Sequence, residues 1–297
     1  MNVNETLLFF RQNMKFTQKE VLPYHDTSAY SRIESGKREI KMSELTAILN
    51  KLSISPEEFI CHSSLDDDQK RFRQLFEYCA THLANQSKKK ELLHYYNQLK
   101  NIENQSLKER SNFIAIKVFF SNHWSEVEQV TKEGLNDSFT YLSKKSYYVQ
   151  YDYTLMSNII FLLEEQQAEL LIRRAIPIKD EENRNTVTKQ FAYNLITNLI
   201  TSKLYSKEYG KVQDYLVLAK KQNPKNKNYK YHMTISYLEN LYLYLTKGDY
   251  TYIKSVYDYI HILHTIGEEQ LSIMTEKEVE QLTLARTDSP INTMKVN

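Results

Sequence analysis

The sequence predicts an all-α protein in two parts: five short helices at the N-terminus, then a longer array of helical repeats. Three observations predict it. Only 5 Gly and 5 Pro occur in 297 residues, so obligatory turns are few and long helices are favoured. Helix-start signals crowd the first part of the chain, two of them a capping residue with Glu three positions later, Thr17 with Glu20 and Ser55 with Glu58. Beyond them, apolar stripes at helical spacing recur with a period near 42 residues. A length of 297 residues also exceeds what one core usually supports, which favours two domains.

The elements follow in order. Val3, Leu7, Phe10 and Met14 form one apolar face of a first helix. Thr17 with Glu20 makes a capping box, so a second helix starts at Gln18, and Pro23 ends it. Asp26 or Thr27 caps a third helix striped by Tyr30 and Ile33, and Gly36 stands where a left-handed C-terminal cap is needed. Leu45, Ile48, Leu49 and Leu52 face a fourth. In "SPEEF", Ser55 is the N-cap, Pro56 the first helical residue and Glu58 the third of a fifth helix.

Two short helices joined by so tight a turn predict a helix-turn-helix, in which the second enters the DNA major groove with its N-terminal residues on base edges. The groove helix is expected over about residues 27–35. Tyr30 and Ile33 face its core, and Thr27, Ser28, Ala29, Ser31 and Arg32 lie outside. The candidate DNA-binding residues are Gln18, Thr27, Ser28, Ala29, Arg32, Lys37 and Arg38. Arg32 has the chemistry for guanine or for phosphate, whereas Gln18 at a helix start fixes register. Lys37 and Arg38 either reach phosphate or form a solvated loop, and Arg11 either reaches phosphate or bridges Glu34. Residues 11–41 hold seven bases against four acids, although the net charge of the whole chain is only +2. That modest basic face suits a homodimer summing two half-sites on double-stranded DNA.

Thr-Gln-x-Glu-Val at Thr17, "YSRIESGKR" from Tyr30 and "SISPEEF" from Ser53 together resemble the Cro/repressor-type helix-turn-helix of the xenobiotic-response-element class, over residues 5–60. The sequence departs from that class in its link, which is shorter and has Pro23 and "YHD" in place of the common Gly-containing turn. In this it resembles the Rgg/MutR branch of Gram-positive regulators. That resemblance implies an N-terminal DNA-binding domain and a C-terminal helical-repeat domain that binds a short signalling peptide.

Domains are expected at 1–64 and 65–285, with a disordered tail at 286–297. In the second, "SEVEQVTKEG" from Ser125, "QAELLIRRA" from Gln167, "KVQDYLVLAKK" from Lys211 and "TYIKSVYDYI" from Thr251 align, their starts 42, 44 and 40 residues apart. The breaks "KEYG" and "KGDY" resemble the turn of tetratricopeptide repeats. Stacked helix pairs of this kind bury a continuous core and offer a long binding surface. Asn158, Asn198 and Asn240 recur 40 and 42 residues apart on the first helix of successive pairs, and Asn194 sits one turn before Asn198. Asn offers a donor and an acceptor together, as an extended peptide backbone requires. These four, with Tyr237 and Tyr244 as adjoining pockets, are the candidate peptide-binding residues. The alternative is that the Asn cap loops, bond their own helices or face solvent, and that the 23 Tyr are mainly packing residues.

No Gly-rich phosphate loop, HExxH or CxxC is present, so no catalytic residue, cofactor or metal is expected and the chain is not read as an enzyme. His261 and His264 share a helix face, but two His alone make a weak metal site. Cys61 and Cys79 have no disulfide or metal spacing and read as reduced thiols of a cytoplasmic protein. No membrane span and no signal peptide are expected. The expected function is transcription regulation by a peptide-controlled DNA-binding homodimer. The alternative is a helix-turn-helix repressor whose repeats bind a partner protein or only dimerise.

Overall fold

The computed structural model describes residues 1–21, 27–222 and 228–284; the side chain of Thr27 is outside that description. So are Pro23, the Asp26 cap and the tail 286–297. The chain divides into two compact units, Met1–Leu92 and Leu93–Asn297. All regular structure among the described residues is helical.

The first unit opens with α1 (Val3–Asn13), α2 (Gln18–Val21), α3 (Thr27–Glu34), α4 (Met42–Leu52) and α5 (Pro56–His62). Its start signals act as written. The Thr17 hydroxyl accepts from Glu20 N–H at 3.3 Å while the Glu20 carboxylate accepts from Thr17 N–H at 2.7 Å. Ser55 accepts from Glu58 N–H at 3.1 Å. Leu7, Phe10, Tyr30, Ile33, Ile48, Leu49, Leu52 and Phe59 are buried in one cluster, with Val3 and Leu45 packed against it. Met14 is exposed instead, because α1 ends at Asn13 and Met14 is its C-cap. A 3₁₀ turn at Ser64–Asp66, α6 (Asp67–Thr81) and the start of α7 (Gln86–Lys100) complete the unit.

The second unit holds α8 (Leu107–Phe120), α9 (Lys132–Ser143), α10 (Gln150–Ile159), α11 (Glu165–Ala175), α12 (Thr186–Tyr205), α13 (Tyr209–Lys221), α14 (Tyr229–Lys247), α15 (Tyr250–Thr265) and α16 (Glu269–Thr283). Helices α8, α10, α12 and α14 pack in series as one row. Within pairs, α12 lies on α13 and α14 on α15, and α16 covers α15. Three of the four aligned segments fall on α11, α13 and α15. The fourth, from Ser125, does not begin a helix. There Trp124 stacks on Phe120 at 4.1 Å and Val127 is buried, which holds the connector irregular. The helix waits for a better cap, Thr131, which accepts from Gly134 N–H at 3.1 Å.

Tyrosine serves this array by closing helix ends. The last carbonyls of a helix lack internal partners. The Tyr148 hydroxyl donates to Leu142 C=O near the end of α9 at 3.1 Å, Tyr153 to Ala175 C=O ending α11 at 2.9 Å, and Tyr231 to Ala219 C=O near the end of α13 at 2.9 Å. All three rings are buried. Burial pushes each phenol up from its usual range, so all three stay protonated donors.

One buried acid makes the second unit sensitive to pH. The Tyr237 hydroxyl donates to the Glu278 carboxylate at 2.7 Å, and burial raises the carboxyl above its usual range, against the opposing effect of that bond. A carboxyl raised on folding binds its proton more tightly in the native state. Its contribution is therefore full below the unfolded value of about 4.3 and declines as pH rises through the native one. Glu278→Gln keeps an acceptor for Tyr237 without the charge. The variant is expected to match the parent near pH 4 and to exceed it at pH 7 in thermal melts; equal melting temperatures at both pH values would contradict this.

Candidate functional site

In the first unit the site is built on α3. Helical geometry turns Tyr30 and Ile33, both fully buried, to one side and leaves Ser28 and Arg32 exposed on the other, with Ala29 half-buried between. α3 stops in a Schellman motif. Gly36 N–H donates to Ile33 C=O at 3.0 Å and Lys37 N–H to Arg32 C=O at 2.9 Å. Gly36 has φ +71°, and a Cβ there would also come within 3.2 Å of the Asn4 amide. Glycine is needed on both counts.

Glu34 anchors α3 from inside. Its carboxylate accepts from Arg11 at 2.5 and 3.0 Å and from Gln18 at 2.8 Å, and Arg11 also donates to Phe16 C=O at 2.9 Å. Arg11 is thus the structural bridge rather than a phosphate contact. Gln18 likewise has its amide nitrogen on Glu34, because a carboxylate with 4% exposure must be satisfied by whatever donor α2 brings. Gln18 therefore sets the α2–α3 register from within. Lys37 is exposed, whereas Arg38 pairs with Glu44 at 2.6 Å. The Lys41 N–H and Arg38 hold the Glu44 carboxyl below its usual range. Sequence reasoning missed this brace between the α3–α4 loop and α4.

In the second unit, Asn158, Asn198 and Asn240 stand on α10, α12 and α14 of the single row, each in the same burial register. Leu155–Met156, Leu195–Ile196 and Tyr237–Leu238 are the buried pair before each Asn; Ile159, Leu199 and Leu241 are the buried residue after it. Each Asn therefore sits beside the core stripe of its helix. Asn198 and Asn194 are exposed, while Asn158 and Asn240 are half-buried. The Asn158 amide donates to Thr154 C=O at 2.9 Å and that of Asn240 to Ser236 C=O at 2.8 Å. Own-helix bonding thus occurs at two of the three rungs, but it uses one N–H of the two, and each amide oxygen remains an acceptor. Asn194 accepts from Gln190 at 2.7 Å.

Tyr237 and Tyr244 are placed by the structure in the core, 5% and 2% exposed. Tyr237 stands in the register of Leu155 and Leu195 and stacks on Tyr259 at 4.9 Å. Tyr244 follows Tyr237 and Leu241 at helical spacing on the same stripe. That register was readable in the aligned repeats. His261 and His264 line a groove between α15 and α16 with Glu269 and Glu276. Among the described residues, no group of three or more His, Cys, Asp or Glu is placed to hold a metal ion. Cys61 is exposed and Cys79 buried. No helix among the described residues is long and apolar enough to cross a membrane.

The order of these parts defines a class of fold: a short-helix N-terminal domain followed by a row of paired helices. Solved structures share it along the whole chain. PrgX is 18% identical, with 98% of this chain and 97% of that chain covered and a TM-score of 0.76. PrgX in its complex with cCF10 gives 17%, 97%, 94% and 0.77. The SHP pheromone receptor Rgg2 of Streptococcus dysgalactiae gives 19%, 94%, 99% and 0.72. The all-α fold that the Rgg/MutR resemblance implied is therefore the fold of this chain. No protein-family profile and no curated protein sequence matches it.

Proposed function

We propose that this protein is a homodimeric, cytoplasmic, DNA-binding transcription regulator of the Rgg type, without catalytic activity, whose output is set by a short signalling peptide. In this reading residues 1–64 bind DNA, and residues 65–285 bind the peptide and dimerise. The observation that supports it most is the whole-chain likeness to PrgX and Rgg2, one described in complex with cCF10 and the other as a pheromone receptor. The shared register of Asn158, Asn198 and Asn240 along one row of helices supports the peptide half. It gives an extended backbone amide partners at regular intervals. A peptide changes output through its differential affinity for two arrangements of the dimer.

On DNA, Ser28, Ala29 and Arg32 face bases, with Thr27 beside them; Lys37 meets phosphate, and Gln18 and Arg38 hold the helices that do so. Arg32→Ala is expected to weaken binding to the native upstream region by about 1–3 kcal/mol in gel-shift titration. Ser28→Glu, which sets a carboxylate against the groove, should abolish it; unchanged binding by that variant would sink the docking. For the peptide, Asn198→Ala or Asn240→Ala should cost about 1–3 kcal/mol of affinity by fluorescence polarisation, with an unchanged circular dichroism spectrum. Affinity held within about twofold in both variants would remove the Asn ladder. The alternative, repeats that only dimerise or bind a partner protein, is favoured by the own-helix bonds of Asn158 and Asn240. It predicts no peptide affinity at all.

A further inference from the structure

Between α12 and α14 a small pocket of about 60 Å³ opens beside Asn194. It is lined by Gln190, Asn194, Thr197, Asn228, Lys230 and Thr234 beside the buried Tyr193–Tyr231 pair, stacked at 4.3 Å. We infer that this pocket is a carboxylate subsite, in which Lys230 and the amide of Asn194 hold one acidic group of the bound peptide.

Size is the first argument. At about 60 Å³ the pocket is small and suits a compact group such as a carboxylate. Charge is the second. Lys230 is the one charged residue lining it among the described residues. The nearby Glu181 accepts from the Tyr193 hydroxyl and does not line the pocket. Donor supply is the third. Gln190 donates to the Asn194 oxygen at 2.7 Å, so what the Asn194 amide still offers is its N–H pair. The Thr234 hydroxyl donates to Lys230 C=O at 2.9 Å and that of Thr197 to Tyr193 C=O at 3.0 Å, which commits both hydroxyl protons to the helices. Asn228 lines the pocket too, and its amide oxygen accepts from Tyr231 N–H at 3.0 Å, which leaves its N–H pair as well. An ammonium and two amide N–H pairs form a set that suits an anion with two oxygens.

This inference rests on the peptide reading, and the carboxylate has two possible sources: the peptide's C-terminus or an Asp or Glu side chain. The test uses the full-length protein and three synthetic pools of random octapeptides, with retained peptides identified by mass spectrometry. The first pool has free C-termini and lacks Asp and Glu. The second is amidated and lacks both. The third is amidated and includes both. Retention of the first or the third about tenfold above the second is expected, naming the source, and Lys230→Gln should erase the excess. Equal retention of all three pools, or an excess that survives Lys230→Gln, overturns the carboxylate subsite while peptide binding stands. Retention of none overturns both.

Discussion

Replacing Asp152 by Ala is expected to remove about 3–5 kcal/mol of stability, read as the shift of a urea unfolding transition. Asp152 is fully buried at the start of α10. Its carboxylate accepts from Lys145 at 2.7 and 2.9 Å and from Val149 N–H at 2.8 Å. Lys145 also lies 4.4 Å from the centre of the Tyr141 ring. Removing the acid strands a half-buried ammonium and an N-terminal N–H of α10 together, and so also loosens the helix that carries Asn158. Asp152→Asn keeps an oxygen for the Val149 N–H and should lose less. If Asp152→Ala unfolds within about 1 kcal/mol of the parent, Lys145 must find water freely and the pair is not a determinant.

Glu34→Ala is expected to cost about 3 kcal/mol and to weaken DNA binding more than tenfold, although Glu34 faces no base. Its side chain is 4% exposed and that of Arg11 is 14% exposed. Loss of the carboxylate leaves the Arg11 guanidinium and the Gln18 amide without their acceptor, and α1, α2 and α3 lose their common tie. The double variant Arg11→Ala/Glu34→Ala should recover part of the loss, because no unpaired charge then remains. Urea unfolding measures the stability term and gel-shift titration the binding term. A double variant as unstable as the sum of the single ones would show that the pair is not coupled.

The N-terminal elements were legible because their signals are local. Thr17 and Glu20 meet across a single turn, as do Ser55 and Glu58, and Gly36 must take a left-handed φ wherever the helix before it ends. The Asn spacing was legible for the same reason, since it repeats with the helices that carry it. Tyr237 and Tyr244 suggest groove side chains, yet the repeat register places Tyr237 with Leu155 and Leu195, and Tyr244 follows it on the same buried stripe; a tyrosine invites a polar role that packing overrules. The Ser125 segment aligns with the helical repeats but does not begin a helix. There Trp124 and Val127 are buried, and burial of apolar side chains competes with helical bonding.

By itself, then, the sequence determined the N-terminal helices, the caps at Thr17, Ser55 and Gly36, the exposed face of α3 and the periodic placement of Asn. All are set by contacts within a few residues, where propensity and capping operate. The tertiary structure alone decided that Glu34 gathers Arg11 and Gln18, that Arg38 turns to Glu44, and that tyrosine hydroxyls close the ends of neighbouring helices. It also brought Asn194 and Lys230 to one pocket. These pairings reach beyond a single helical turn, where local propensity has no hold. The buried ones share one cost: a polar atom buried by packing must find whichever partner the fold brings within reach.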